Sequence, residues 1–230
     1  MQGLSKRLKT IASLVPNGTR VCDIGTDHAY LPIYLKQNNI AKTIIASDLN
    51  RKPLLTAQKN IDKAGVSGIE LRFGNGLSVL KENEVDNIII AGMGGEVISS
   101  IIDDCKWIKN SKYTLILQPT TSAEFLRRFL TQNGFETVSE IPLSENGKIY
   151  SIMRVNFTNN TKKYPEHYYY IGNITPENDE GLFYIQKQQK ILSKCINSLE
   201  NIPSKQEELK KYKTAFLNIS KILTENLNGI

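Results

Sequence analysis

Between residues 20 and 133 the chain alternates between two hydrophobic periods, and few folds accommodate that pattern. Apolar, β-rich runs occur at 20–25, 42–48, 69–73, 85–91 and 113–118, and helical patterns separate them at 30–38, 51–64, 95–107 and 122–133. Strands that alternate with helices predict parallel βαβ units, hence an α/β, doubly wound sheet. Ile88-Ile89-Ile90 and Leu115-Ile116-Leu117 are apolar without interruption, as strands covered by helices on both faces must be. Leu4, Leu8, Ile11 and Val15 recur at helical spacing and predict a first helix that ends before Pro16-Asn17-Gly18.

The pattern changes twice further on. Runs at 135–141 and 149–155 flank Glu145-Asn146-Gly147-Lys148, and Asn-Gly is a strong hairpin signal. A closing hairpin after five βα units departs from a symmetrical dinucleotide fold. Past Asn156 comes a polar stretch, Thr158-Asn159-Asn160-Thr161-Lys162-Lys163, and then Tyr168-Tyr169-Tyr170. Leu182, Ile185, Leu192, Ile196 and Leu199 fit a heptad whose remaining seam position is Gln189, and Leu209, Tyr212, Phe216, Ile219 and Leu223 form a second stripe. With Ile202-Pro203-Ser204 between them, the stripes predict an antiparallel helical hairpin with coiled-coil-like packing. Two domains are therefore expected, 1–157 and 158–230.

Composition excludes several classes. Hydrophobic residues make up 40 % of the chain and charged ones 23 %, which argues against general disorder. No apolar run approaches the roughly 18 residues that span a bilayer, and no signal peptide is evident, so a cytoplasmic protein without membrane contact is expected. Cys22, Cys105 and Cys195 lack the spacing of a metal or disulfide framework, so no metal is expected. The net charge of +6 permits a polyanionic partner. From Asn159 onward 10 lysines stand against 8 acids, so no terminal segment is a basic tail.

A parallel sheet binds its ligand beyond the carboxyl ends of its strands. The first strand ends in Asp23-Ile24-Gly25-Thr26-Asp27-His28-Ala29-Tyr30. Gly25 permits a tight turn, and Asp23 offers a carboxylate for a ligand cation. A nicotinamide fold places GxGxxG here to seat a pyrophosphate. One glycine plus the extra negative charge of Asp27 suits an adenosyl ligand without phosphate better. Asp48, at the end of the second strand, either accepts hydrogen bonds from ribose hydroxyls or caps the following helix. Asn75, between Gly74 and Gly76, is a turn residue or an acceptor for an adenine amino group. Ala91-Gly92-Met93-Gly94-Gly95 holds three glycines in four positions, which predicts a close backbone approach. Gln118 can pair with a base edge or simply turn the chain. His28 is structural or catalytic, and His167, near the linker, is read as structural.

Together these segments resemble a known family, the bacterial tRNA (adenine-N1)-methyltransferases of the TrmK type, which modify adenine 22 in the D-arm. The resemblance rests on Leu4-Ser5-Lys6-Arg7-Leu8, the segments VCDIGTDHAYLP (21–32), SDLNRKPLLTAQKN (47–60), RFGNGL (72–77) and IAGMGG (90–95), and Leu117-Gln118-Pro119. Asn75 departs from the Asp common in the similar proteins but keeps an acceptor. The resemblance implies a class I methyltransferase Rossmann-like sheet of seven strands, mostly parallel with an antiparallel last strand, and a small C-terminal helical hairpin. It implies S-adenosyl-L-methionine as cofactor, held by Asp23, Gly25, Asp27, His28, Tyr30, Asp48, Leu49, Asn75, Gly76 and Gly92. Met93, Gly94, Gly95 and Gln118 would face the adenine, with Asp27 and His28 at the chemistry. A monomer that acts on tRNA is expected; the alternatives are another RNA or protein substrate, or a cofactor-binding RNA module without catalysis.

Overall fold

The computed structural model describes residues 4–228. Helix α1 (Lys6–Ser13) starts at Ser5, whose hydroxyl accepts from the Leu8 amide at 3.3 Å. Four βα units follow: β1 (Thr19–Ile24) with α2 (Tyr30–Gln37), β2 (Ala41–Asp48) with α3 (Arg51–Ala64), β3 (Ile69–Phe73) with a single 3-10 turn, and β4 (Asn87–Gly94) with α4 (Gly95–Asp103). Then come β5 (Thr114–Thr121), α5 (Ala123–Gln132), β6 (Phe135–Glu145) and β7 (Lys148–Phe157). The strands form one sheet in the order β3-β2-β1-β4-β5-β7-β6. β1 to β5 pair in parallel, and β7 runs antiparallel to both β5 and β6. This is the seven-strand, Rossmann-like arrangement that the sequence predicts.

The uninterrupted apolar strands serve two cores. Ile88, Ile90, Leu115 and Leu117 point to one face of the sheet, under α4 and α5. Ile89 and Ile116 point to the other, with Ile11 of α1 and Leu31 and Leu35 of α2. Since every second residue faces each side, an all-apolar strand is the only kind that fills both. The β6–β7 turn has Asn146 and Gly147 at φ 51° and 72°, the left-handed pair that a two-residue hairpin turn requires.

Several boundaries differ from the sequence-based ones. β4 reaches Gly94 because Gly92, at φ 81°, lets the strand pass through a register shift and pair again with β5. α4 stops at Asp103, and the chain turns so that Cys105 and Ile108 enter the core. α6 (Glu166–Ile171) forms at the tyrosine cluster, where no helix is predicted. α7 (Asp179–Leu199) and α8 (Gln206–Asn228) form the helical hairpin, and Gln189 donates to Ser220 across it at 2.8 Å. Its apolar stripe is shared with α6 and β7, since Tyr170, Ile171 and Ile149 join Ile185, Leu192 and Ile219.

Arg127 of α5 ties these helices to the sheet. It is 1 % exposed and pairs with Glu140 of β6 at 2.6 Å. It also donates to the carbonyls of Tyr169 and Tyr170, each at 2.9 Å, and to the Tyr184 hydroxyl at 2.8 Å. Gly172 turns beside the pair at φ 61°, where a Cβ would collide with Glu140. All three cysteines are free, no helix among the described residues is long and apolar enough to cross a membrane, and no metal-binding cluster of His, Cys, Asp or Glu occurs among them.

Candidate active site

The loop from β1 to α2 carries the candidate site and holds an uncommon backbone. Gly25, Asp27 and Ala29 take φ values of 74°, 49° and 56°, three left-handed residues in five. Only glycine adopts this region freely, and Asp is among the few others enriched there. Neighbouring segments hold the loop in place. The Ser47 carbonyl accepts from Gly25 and Thr26 at 2.8 and 2.9 Å, and the Asn60 side chain of α3 donates to the His28 carbonyl at 2.9 Å.

Asp23 lies beneath this loop at 6 % exposure. Burial pushes its carboxyl up to about 6, against the Thr26 side chain, which favours the charged form, and the nearby Asp48 adds to the rise. No ion pair reaches it among the described residues, so a cationic group is the chemistry that would complete it. Further along the loop Asp27 is exposed and His28 half-buried, with His28 Nε2 3.2 Å from Asp27 Oδ2. The His28 ring stacks on Tyr30 at a centroid distance of 5.2 Å. His28 Nδ1 is buried and has no hydrogen-bond partner.

At the end of β2, Asp48 accepts from the Asn50 amide at 2.8 Å while Asn50 itself occupies the N-cap of α3. One carboxylate oxygen of Asp48 stays uncommitted in these contacts. Leu49 is 59 % exposed, and next to it Phe73 at the end of β3 packs under the Arg51 guanidinium at 4.8 Å. Asn75 and Gly76 follow β3 and line a cavity of about 170 Å³ whose far wall is the C-terminal end of α4, with Ile101, Asp104, Cys105 and Trp107. A buried carboxylate at Asp23, a half-free one at Asp48 and apolar side chains at Leu49 and Phe73 thus lie at the carboxyl ends of neighbouring strands. They suit the amino group, ribose and base of an adenosyl amino acid.

The strand-four glycines explain themselves in two ways. A Cβ on Gly25 would lie 2.2 Å from the Met93 terminal methyl, so Met93 rests directly on the β1 loop and brings the two glycine motifs together. The close approach expected at Gly95 is made by the protein itself: a Cβ there would meet the Ser122 carbonyl at 2.1 Å. Gly92 is exposed and Gly94 half-buried, and these two leave backbone beside the cleft. Gln118 has no exposed surface. Its amide oxygen accepts from Arg7 at 2.7 Å and from the Gly92 amide at 3.1 Å, and its nitrogen donates to the Pro119 carbonyl at 2.9 Å. Gln118 therefore fixes the neighbouring backbone rather than presenting a free edge to a base.

Arg7 and Asn60 belong to the site's architecture although sequence reasoning gave them no role. Both appear in the sequence motifs, but neither stands at a strand end. Their contacts cross 111 and 32 residues of chain, which no local pattern signals.

Comparison with known proteins agrees with this geometry. Residues 4–153 match the family described as "Methyltransferase domain". The tRNA (adenine(22)-N(1))-methyltransferase of Bacillus subtilis is 42 % identical over 151 residues, which are 65 % of this chain and 63 % of that protein, a little under two thirds of its length. The crystal structure of the B. subtilis M1A22 tRNA methyltransferase TrmK superposes with a TM-score of 0.85 at 29 % identity, covering 97 % of this chain and 100 % of that one. A Streptococcus pneumoniae structure, Sp1610, described as a putative tRNA (m1A22) methyltransferase in complex with S-adenosyl-L-methionine, gives 0.79 at 32 % identity and covers 96 % and 100 %. With the family match over 4–153, the sheet order and these relatives together, the chain belongs to the methyltransferase-domain family and, within it, to the tRNA (adenine(22)-N1)-methyltransferases of the TrmK type.

Proposed function

We propose that this chain methylates N1 of adenine 22 in tRNA, with S-adenosyl-L-methionine as the methyl donor. The observation that carries the reading is the buried Asp23 carboxylate, without an ion-pair partner among the described residues, at the root of the loop that bears the Asp27–His28 pair and against which Met93 packs. In this assignment Asp23 holds the amino group of the cofactor, Asp48 its ribose and Asn75 its adenine. Gly25, Tyr30, Leu49, Gly76 and Gly92 shape the pocket around it. Met93 and Gly94 border the target base, Gly95 lets α4 pack against Ser122 behind them, and Gln118 holds the Gly92 backbone. The division of the chain into 1–157 and 158–230 belongs to the same proposal, as do a monomeric state and a place in the cytoplasm.

The donor supplies an activated methyl group on sulfonium. The protein's part is then alignment and charge. Holding the adenine N1 lone pair in line with the methyl removes most of the entropic barrier. Since N1 is on the pairing edge, the base must first leave its stack, at a cost of about a few kcal/mol. The methylated ring is cationic until it loses a proton from N6, and the Asp27 carboxylate, steadied by His28, offsets that charge as it develops.

Incubation with labelled cofactor and total tRNA, then digestion to nucleosides, should place the label in N1-methyladenosine. Label confined to another nucleoside or to protein would overturn the assignment. Asp27→Asn should lower turnover by about 100-fold or more while cofactor affinity changes by less than about fivefold. Full turnover in that variant would remove Asp27 from the mechanism.

A further inference from the structure

A cavity of about 810 Å³ lies outside the cleft just described, in the groove between α1, α2 and α3. Lys9, Lys63, Tyr30, Tyr34, Gln37 and Asn60 are among its lining residues, and no acid is. Neither lysine enters an ion pair among the described residues, so both charges are available to an anion. Tyr30 is 50 % exposed and Tyr34 half-buried, so aromatic surface stands beside the cations. Apolar floor comes from Leu8 and Ile33.

The groove is continuous with the proposed site of chemistry. Tyr30 lines the groove and stacks on His28, and Asn60 lines it and holds the His28 carbonyl. Tyr30 is thus the side chain that joins the groove to the Asp27–His28 pair. Cationic and aromatic side chains together are the means by which single-stranded RNA is held without regard to sequence: lysines meet phosphates, and rings stack on bases.

We propose that this groove is an RNA-binding site, taking the backbone and a stacked base of the strand that flanks the methylated adenine. The proposal deepens the reading above and rests on RNA being the substrate. Its test uses the full chain and a fluorescein-labelled ten-nucleotide RNA of mixed sequence, followed by anisotropy at several salt concentrations. Tyr34→Leu should weaken binding roughly tenfold, the loss of one base stack. The doubly substituted Lys9→Gln, Lys63→Gln protein should lower the slope of log affinity against log salt by about 1.4, at about 0.7 per single-strand phosphate contact. Cofactor affinity should stay within about twofold in both, and the KM for tRNA should rise with kcat held.

Unchanged oligonucleotide affinity and an unchanged salt slope would overturn the groove, and so would methylation with an unaltered tRNA KM. If Tyr34→Leu impairs folding, the surface lysine pair decides the matter alone. The two readings separate cleanly. Should wild type bind the RNA through these residues yet form no N1-methyladenosine, the groove stands and the assigned activity falls.

Discussion

Asp23→Asn should sharply weaken cofactor binding and at the same time make the unliganded protein more stable. The native carboxyl is raised from 3.8 to about 6 by burial, with Asp48 adding to it. A rise of that size corresponds to roughly 3 kcal/mol of destabilisation once the group is ionised, at about 1.4 kcal/mol per pH unit. The sign follows from which state deprotonates first. Between pH 4 and 6 the unfolded chain gives up this proton while the folded chain keeps it, so stability falls as pH rises through 6. Asparagine has the same shape and no charge, so that slope should vanish and the melting temperature at pH 7.5 should rise by roughly 5–10 °C. Cofactor affinity should drop by at least about 30-fold, since its ammonium loses a buried partner. In the native protein the affinity should weaken about tenfold per unit below pH 6. Thermal melts and titration calorimetry read both effects, and an unchanged affinity in the variant would remove Asp23 from the pocket.

The second large effect is structural. Arg127→Ala should destabilise the protein by about 3–5 kcal/mol, because it leaves Glu140 buried and uncompensated. Four other acceptors lose their donor at the same time: the carbonyls of Tyr169 and Tyr170 and the hydroxyls of Ser151 and Tyr184. Removing both charges, as Arg127→Met with Glu140→Leu, should recover much of the loss, since an apolar pair carries no desolvation cost. Denaturant melts of the single and double variants make the comparison. A single variant within about 1 kcal/mol of wild type would show that the network is not holding α6 and α7 against the sheet.

Much of the sheet was legible in the sequence because its signals are local. Apolar runs, the Asn146-Gly147 turn and the glycines at strand ends each act within a few residues. Placing Asp23, Asp48 and Asn75 on one edge needed only the rule that parallel strands present their carboxyl ends together. What escaped were residues whose role is set by distant partners. Arg127 sits on an amphipathic helix, where an arginine reads as solvent-facing until Glu140 and the α6 carbonyls are in place. Gln118 reads as a base-pairing amide until Arg7 occupies its oxygen. Gly95 reads as a ligand contact until Ser122 fills the space. The helix at Tyr168-Tyr169-Tyr170 escaped for the same reason: tertiary packing decides a six-residue helix that propensity alone would not form.

The bond from Arg7 to Gln118 also sets an order of events during synthesis. Arg7 leaves the ribosome well before its acceptor, which lies 111 residues further on. At about 5–20 residues per second, α1 waits roughly 5–20 s before that acceptor is even made. Glu145, whose carboxylate accepts from the Arg7 amide at 2.9 Å, arrives later still. The α1 wall of the cleft is thus translated long before it can find its place.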